Sequence, residues 1–461
     1  QAAIQWSYDL LTPPEQQLFQ RLSVFTSTFD LTAAEAVSTD ESVDDIDVDR
    51  LLGSLIDQSM LTIESGPFGR LFRFLEPIHD FGIDRLAESG HADDVATRHT
   101  KWCLSQVTEI GRKLAGWDEI QAVAQLEELW PNLRTAFDRV CSNHDRHLAR
   151  QLVRPILGEI VLRGHHEIGD WVERILTITP PHDQDTIVFG LYWAAHRYTI
   201  SQNLDGYQQL IERYGEPDHV LIKHGRAFVA GNYEAQAEWS AEAGAELHRL
   251  GDHHLAERTD INIASALLNL GRYEEQEALA QRLVTRYRDQ GPPTYLNWSL
   301  MQLGYNALFQ GQPDKAEAYF NQAIEIEVPP RTHSPNRPLE ARRAFRNREH
   351  GRAYRILRAC IDDILTTDNI QAGLLVCIEF TNMMASIDRP HDAARILGYL
   401  ETTGLLDTPA WRTLIADAAA TLASTTHDTE THPGPDLDHH QALQYMATVL
   451  DQLTAAIEAT T

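Results

Sequence analysis

The chain has 461 residues, enough for two or three domains with an ample core. Its 67 acidic residues against 39 basic ones leave a formal charge of −28, which argues against generic binding to nucleic acid or anionic membrane. No apolar run approaches the about 18 residues of a membrane span and no signal peptide is read, so a cytosolic protein is expected. Cys103, Cys141, Cys360 and Cys377 lie far apart in apolar, helix-like segments without a CxxC pair. Buried free thiols are expected, with neither a zinc site nor a disulfide framework.

In chain order, the opening "QAAIQWSYDL" reads as the middle of a longer polypeptide. "SYDLLTPPEQQLFQRLSVF" is expected to hold a helix started by Thr12, Pro13 and Pro14, with Leu18, Leu22 and Phe25 at helical spacing. An acidic linker follows from Thr39 to Asp49. "LLGSLIDQSMLTIESGPFGRLFRFL" then passes from a helix into two alternating runs joined by "SGPFG", a hairpin signal. This order predicts a winged helix over residues 1–95.

From about residue 96 nothing reads as a strand. Amphipathic segments separated by Gly, Asn, Asp and Pro predict stacked helical hairpins. "GNYEAQA", "GRYEEQE", "GQPDKAE" and "GRAYRIL" begin at Gly231, Gly271, Gly311 and Gly351, successive positions 40 apart. Each glycine is expected to end one helix in the left-handed conformation and let the next fold back. In "LMQLGYNALFQGQPDKAEAYFNQAIEI", Leu300, Leu303 and Gly304 fall in a first helix and Ala316, Phe320 and Ala323 in a second, with Phe320 filling the groove between them. That copy resembles a tetratricopeptide repeat, although a period of 40 exceeds the usual ~34. Weaker copies lie at 162–176 and 386–400. The expected architecture is mainly α: winged helix 1–95, helical connector 96–145, tetratricopeptide-like superhelical repeats 146–425, mobile loop 426–438 and C-terminal helix 439–461.

"AIQWSYDLLTPPEQQLFQRLSVF" and "FRFLEPIHDFGIDRLAESG" together resemble the segment after the nucleotide-binding domain of bacterial signal-transduction ATPases of the STAND or NB-ARC class, especially AfsR-like and LuxR-type regulators. "LEELWPNLRTAFDRV" (126–140) is similar to the helix that opens their repeat region. The resemblance implies a P-loop ATPase domain, a winged helix, a repeat array and a terminal signalling domain in one polypeptide. No GxxxxGK[ST] and no LuxR-type helix-turn-helix occur in this sequence. No cofactor is therefore expected in the chain itself, and ATP or ADP would belong to the parent polypeptide.

In that family a Met-His-Asp triplet follows an Arg at the end of the wing strand, and its His reaches bound ADP. Arg73-Phe74-Leu75-Glu76 occupies that place, with Leu75 standing where the His does and Glu76 where the Asp does. Ile78-His79-Asp80 lies one helical turn further on. Arg73, Leu75, Glu76 and His79 are thus the candidates for facing the nucleotide-binding domain.

The adjacent pairs His165-His166, His253-His254 and His439-His440 point about 100° apart on a helix, so they do not converge on a metal. No Ser-His-Asp, Cys-His or HExxH arrangement supports catalysis. The one basic concentration is Arg331, Arg337, Arg342, Arg343, Arg346, Arg348, Arg352, Arg355 and Arg358. Arg331 and Arg337 are expected on a proline-rich mobile loop. Arg342 with Arg346, and Arg348 with Arg352, share helical faces at i,i+4 spacing. These side chains could hold an anion, an acidic partner or the ATPase domain, or could pair with carboxylates of neighbouring repeats.

The sequence therefore predicts the regulatory arm of a STAND-class transcriptional regulator. Its partners would be the ATPase domain of the same polypeptide and an effector or protein on the repeat surface, with no membrane or direct nucleic-acid contact. The alternative is a stand-alone tetratricopeptide-like interaction scaffold.

Overall fold

A computed structural model describes residues 2–38, 47–200, 203–330, 336–367, 370–404, 406, 409–425 and 437–459. Arg331, most of the acidic linker and residues 426–436 of the expected mobile loop lie outside them. The chain is mainly α, a winged helix followed by an α-solenoid of tetratricopeptide-like hairpins. It divides into two compact units, residues 1–114 with 121–156, and 115–120 with 157–461.

In the first unit, helix Pro13–Leu22 begins where Pro13 and Pro14 cost no hydrogen bond. The Thr12 N–H donates to Glu15 Oε2 at 2.7 Å, and the Ser54 hydroxyl donates to the other carboxylate oxygen. That second bond ties the helix to Val48–Asp57, which Asp47 caps by accepting from the Arg50 N–H. Leu18, Phe19 and Leu22 share a core with Leu51, Leu52 and Leu55. Strands Thr62–Gly66 and Gly69–Arg73 pair antiparallel, Thr62 opposite Arg73 and Gly66 opposite Gly69. A short third element joins them, because Phe29 and Phe72 exchange both backbone hydrogen bonds at 3.0 and 2.8 Å.

The compact unit extends past residue 95 to Ile156. Helix Ala92–Leu114 buries Val95, His99, Cys103, Val107 and Ile110. Asn132 Oδ1 accepts from the Thr26 N–H at 3.1 Å, and Phe25 meets Trp102 edge to face. An amphipathic helix has the same sequence pattern whichever neighbour covers its apolar face.

In the second unit successive helices from Val220–Val229 to Pro390–Thr402 pack each on the next. Gly231, Gly251, Gly271, Gly291 and Gly311 all have φ between +60° and +81°, at successive positions 20 apart. At Gly231 the glycine N–H donates to Phe228 O and the Asn232 N–H to Ala227 O, the Schellman pair that satisfies the last helical carbonyls. The same pair recurs at Gly251, Gly271 and Gly311.

Gly351 departs from the expected turn. It lies inside helix His350–Thr367, and the left-handed position is Arg348, at φ +65°. Arg348 donates to Phe345 O and Glu349 to Ala344 O, so the turn is the same although its residue is not glycine. Phe320 is buried against Gly304, edge to face with Tyr305. The final helix, His439–Glu458, packs mainly on His350–Thr367.

Candidate functional site

The wing-end candidates do not form one cluster of ligands. Arg73, at the last position of its strand, is exposed, and its Nη1 lies 3.4 Å from Glu64 Oε1 across the hairpin. Leu75 is the N-cap of helix Glu76–Glu88 and is 53% exposed, offering no side-chain hydrogen bond. Glu76 occupies the first turn, where the positive end of the helix favours a carboxylate. His79 is half-buried beside Phe74, and its Nε2 lies 2.9 Å from the Ser23 carbonyl oxygen. A carbonyl only accepts, so Nε2 carries the hydrogen. His79 thus fastens this helix to the end of Pro13–Leu22. His79 Nε2 is thus engaged within its own unit, and the Leu75 side chain has no hydrogen-bonding group.

The arginine segment is bound into carboxylates and a ring. Arg342 lies 5.3 Å from the Phe320 ring centre, and its Nε is 3.6 Å from Glu379 Oε1. Glu379 is buried, which pushes its carboxyl up against the pull of Arg342. Arg343 donates to Asn321 Oδ1 at 3.3 Å and Arg346 to Glu317 Oε2 at 2.9 Å. Arg352 reaches Glu340 at 2.7 Å and Glu349 at 3.0 Å, Arg355 lies 3.7 Å from Glu458, and Arg358 bonds Asp451 and Asp362. Arg337, expected on the loop, is instead in helix Asn336–Arg346 and pairs with Asp363. Arg348 stands in the turn and shares no helical face with Arg352.

A buried charge cluster lacks any motif in the sequence. Arg163 lies 2.5 Å from both Glu119 and Glu159, all three side chains being almost wholly excluded from solvent. Glu119 Oε2 also accepts from the Thr294 N–H at 3.0 Å. Burial pushes the Glu119 carboxyl up, opposed by Arg163. Only the i,i+4 spacing of Glu159 and Arg163 was visible in advance. The group cross-braces distant helices and faces no solvent where a substrate could enter. The four cysteines are free and buried, and burial pushes the Cys360 thiol up to about 12. Among the described residues no three His, Cys, Asp or Glu side chains are placed to hold a metal, and no helix is long and apolar enough to cross a membrane.

Residues 255–326 match the tetratricopeptide repeat family. A protein of Mycobacterium bovis named "Putative HTH-type transcriptional regulator" is 33% identical over 151 residues, which is 33% of this chain and 17% of that protein. Its Mycobacterium tuberculosis counterpart matches to the same extent. An uncharacterized Mycobacterium tuberculosis protein is 34% identical over 116 residues, 25% of this chain and 29% of its own length. These matches span well under two thirds of the relatives' lengths. Among solved structures, a STAND protein with a tetratricopeptide repeat sensor from Pyrococcus horikoshii aligns over 98% of this chain and 65% of its own, at 14% identity and a TM-score of 0.45. Over 255–326 the helices are therefore tetratricopeptide repeat hairpins.

Proposed function

We propose that this chain is the regulatory and sensor arm of a STAND-class signal-transduction ATPase that controls transcription. One observation carries the reading: a winged helix and a tetratricopeptide-like array follow one another in a single chain, the order of the family that the wing-end and 126–140 segments resemble. The name of the mycobacterial relative, an HTH-type transcriptional regulator, supports the setting. The winged helix restrains the ATPase domain of the same polypeptide, and an effector or protein on the repeats releases it. The restraint acts by protein packing, since Leu75 has an apolar side chain and His79 Nε2 is taken by the Ser23 carbonyl oxygen. An effector shifts the switch only through unequal affinity for its two states, and reversing a 1:99 population needs about 10⁴-fold.

In the whole polypeptide, deletion of residues 157–461 is expected to make a target-promoter reporter independent of the effector. A reporter that remains effector-dependent after that deletion removes the sensor role.

A second reading, a stand-alone interaction scaffold, is favoured by the same His79–Ser23 bond, which gives the triplet a role within its own unit.

A further inference from the structure

A cleft of about 550 Å³ opens between the starts of helices Tyr233–Arg249 and Tyr273–Gln290, over the second half of helix His253–Asn269. Ile263, Leu267 and Leu270 make its floor apolar. Glu234 and Glu238 form one wall, one helical turn apart and both exposed. Like charges at this spacing oppose the helix. The helix N-terminus compensates Glu234 in the first turn, but not Glu238. On the other wall Arg272 and Glu275 grip each other through two hydrogen bonds of 2.7 and 2.5 Å, leaving no net charge. Among the described residues neither Glu234 nor Glu238 has a cationic partner.

The next interval of the array shows what is missing. Forty residues on, Glu277 stands at the place of Ala237 and Lys315 at that of Glu275. Lys315 Nζ lies 2.7 Å from Glu277 Oε1, an ion pair that joins helix Tyr273–Gln290 to Pro313–Ile324. That interval is closed by the chain's own cation, whereas in the Glu234/Glu238 interval the lining cation, Arg272, is paired with Glu275 on its own helix and leaves the two carboxylates above the apolar floor unmatched.

We infer that the cleft takes a basic, leucine-bearing segment of a partner protein. A lysine or arginine of the segment sits against Glu234 and Glu238, and an aliphatic side chain covers Ile263, Leu267 and Leu270. The inference rests on the array being a partner-binding surface and specifies the chemistry of that partner.

The test is fluorescence anisotropy of the full chain with a labelled eight-residue peptide alternating leucine pairs with lysine and arginine. A second peptide has glutamate at every basic position. The basic peptide is expected to bind saturably at one site, and the acidic one not to bind. Glu234→Gln with Glu238→Gln should weaken binding at least about tenfold, as should Ala237→Glu with Glu275→Lys, which copies the Glu277–Lys315 pair into the cleft. Asp80→Asn with Asp84→Asn removes the same charge from another helix and should leave binding within about twofold. Circular dichroism checks that each variant is folded. Equal binding by both folded cleft variants and the unaltered chain overturns the inference. So does equal weakening by the Asp80/Asp84 control, or equal binding of the acidic peptide. Such a failure leaves the sensor-arm reading to the reporter experiment, which uses no peptide.

Discussion

The Phe320 ring lies so close over Gly304 that a Cβ on Gly304 would stand 2.3 Å from Phe320 Cε1. This contact closes the hairpin of helices Pro293–Phe309 and Pro313–Ile324. Gly304→Ala is therefore expected to destabilise the array by about 1–3 kcal/mol through overpacking. Phe320→Ala should cost about 3–5 kcal/mol. In the Phe320→Ala background the alanine at 304 should cost little, because the clash has gone. Urea unfolding of the four proteins measures the coupling, and additive losses would show that the two residues do not meet.

Arg348 holds a left-handed conformation in the same turn for which Gly311 needs no strain. Arg348→Gly is expected to raise stability by about 0.5–1 kcal/mol, and Gly311→Ala to lower it by a similar or larger amount. Opposite shifts in the thermal midpoint are the readout. A destabilised Arg348→Gly would mean that its side chain makes a contact outweighing the strain.

Arg342 and Arg346 share a helical face but not an environment. The carboxylate facing Arg342 is buried, while Arg346 and Glu317 are 61% and 51% exposed. Arg342→Glu should cost about 3–5 kcal/mol, because it leaves like charges facing in the core. Arg346→Glu should cost no more than about 1 kcal/mol. Denaturation of the single variants distinguishes them, and equal costs would contradict the difference in burial.

Burial holds the imidazoles of His99 and His224 down at about 4, against an ordinary value near 6.5. Between those values the unfolded chain takes up protons that the folded chain refuses. Stability from these groups is complete above about pH 6.5 and is lost as pH falls towards 4. The buried carboxyls of Glu119 and Glu379, held up by burial, act in the opposite sense. The comparison with His99→Gln isolates one histidine. Hydrogen exchange of helix Ala92–Leu114 from pH 7.5 to 4.5 should depend less on pH in that variant, and an unchanged dependence would refute the assignment.

The turn glycines at 231, 271 and 311 were legible because their flanking residues repeat. Gly251 and Gly291 were not, since "RLGDHH" and "DQGPPT" share no pattern. Arg348 was invisible for a deeper reason: positive φ belongs to the backbone, and the Schellman hydrogen bonds impose it on an arginine. Gly351, in phase with the others, misled for the same reason. The density of the arginine segment was plain, but its partners were not, because Arg346 meets Glu317 across 29 positions and Arg358 meets Asp451 across 93. His79 was singled out by its triplet, while the group that it bonds, Ser23, lies 56 residues away.

The most direct test of the regulatory-arm account is the release rate of fluorescent ADP from the P-loop ATPase domain that the account places in the same polypeptide, with and without this chain. The account predicts that the chain slows release at least about tenfold, a stabilisation of about 1.4 kcal/mol or more. It also predicts that an effector bound to the repeats restores fast release. Identical release with and without the chain would contradict the account.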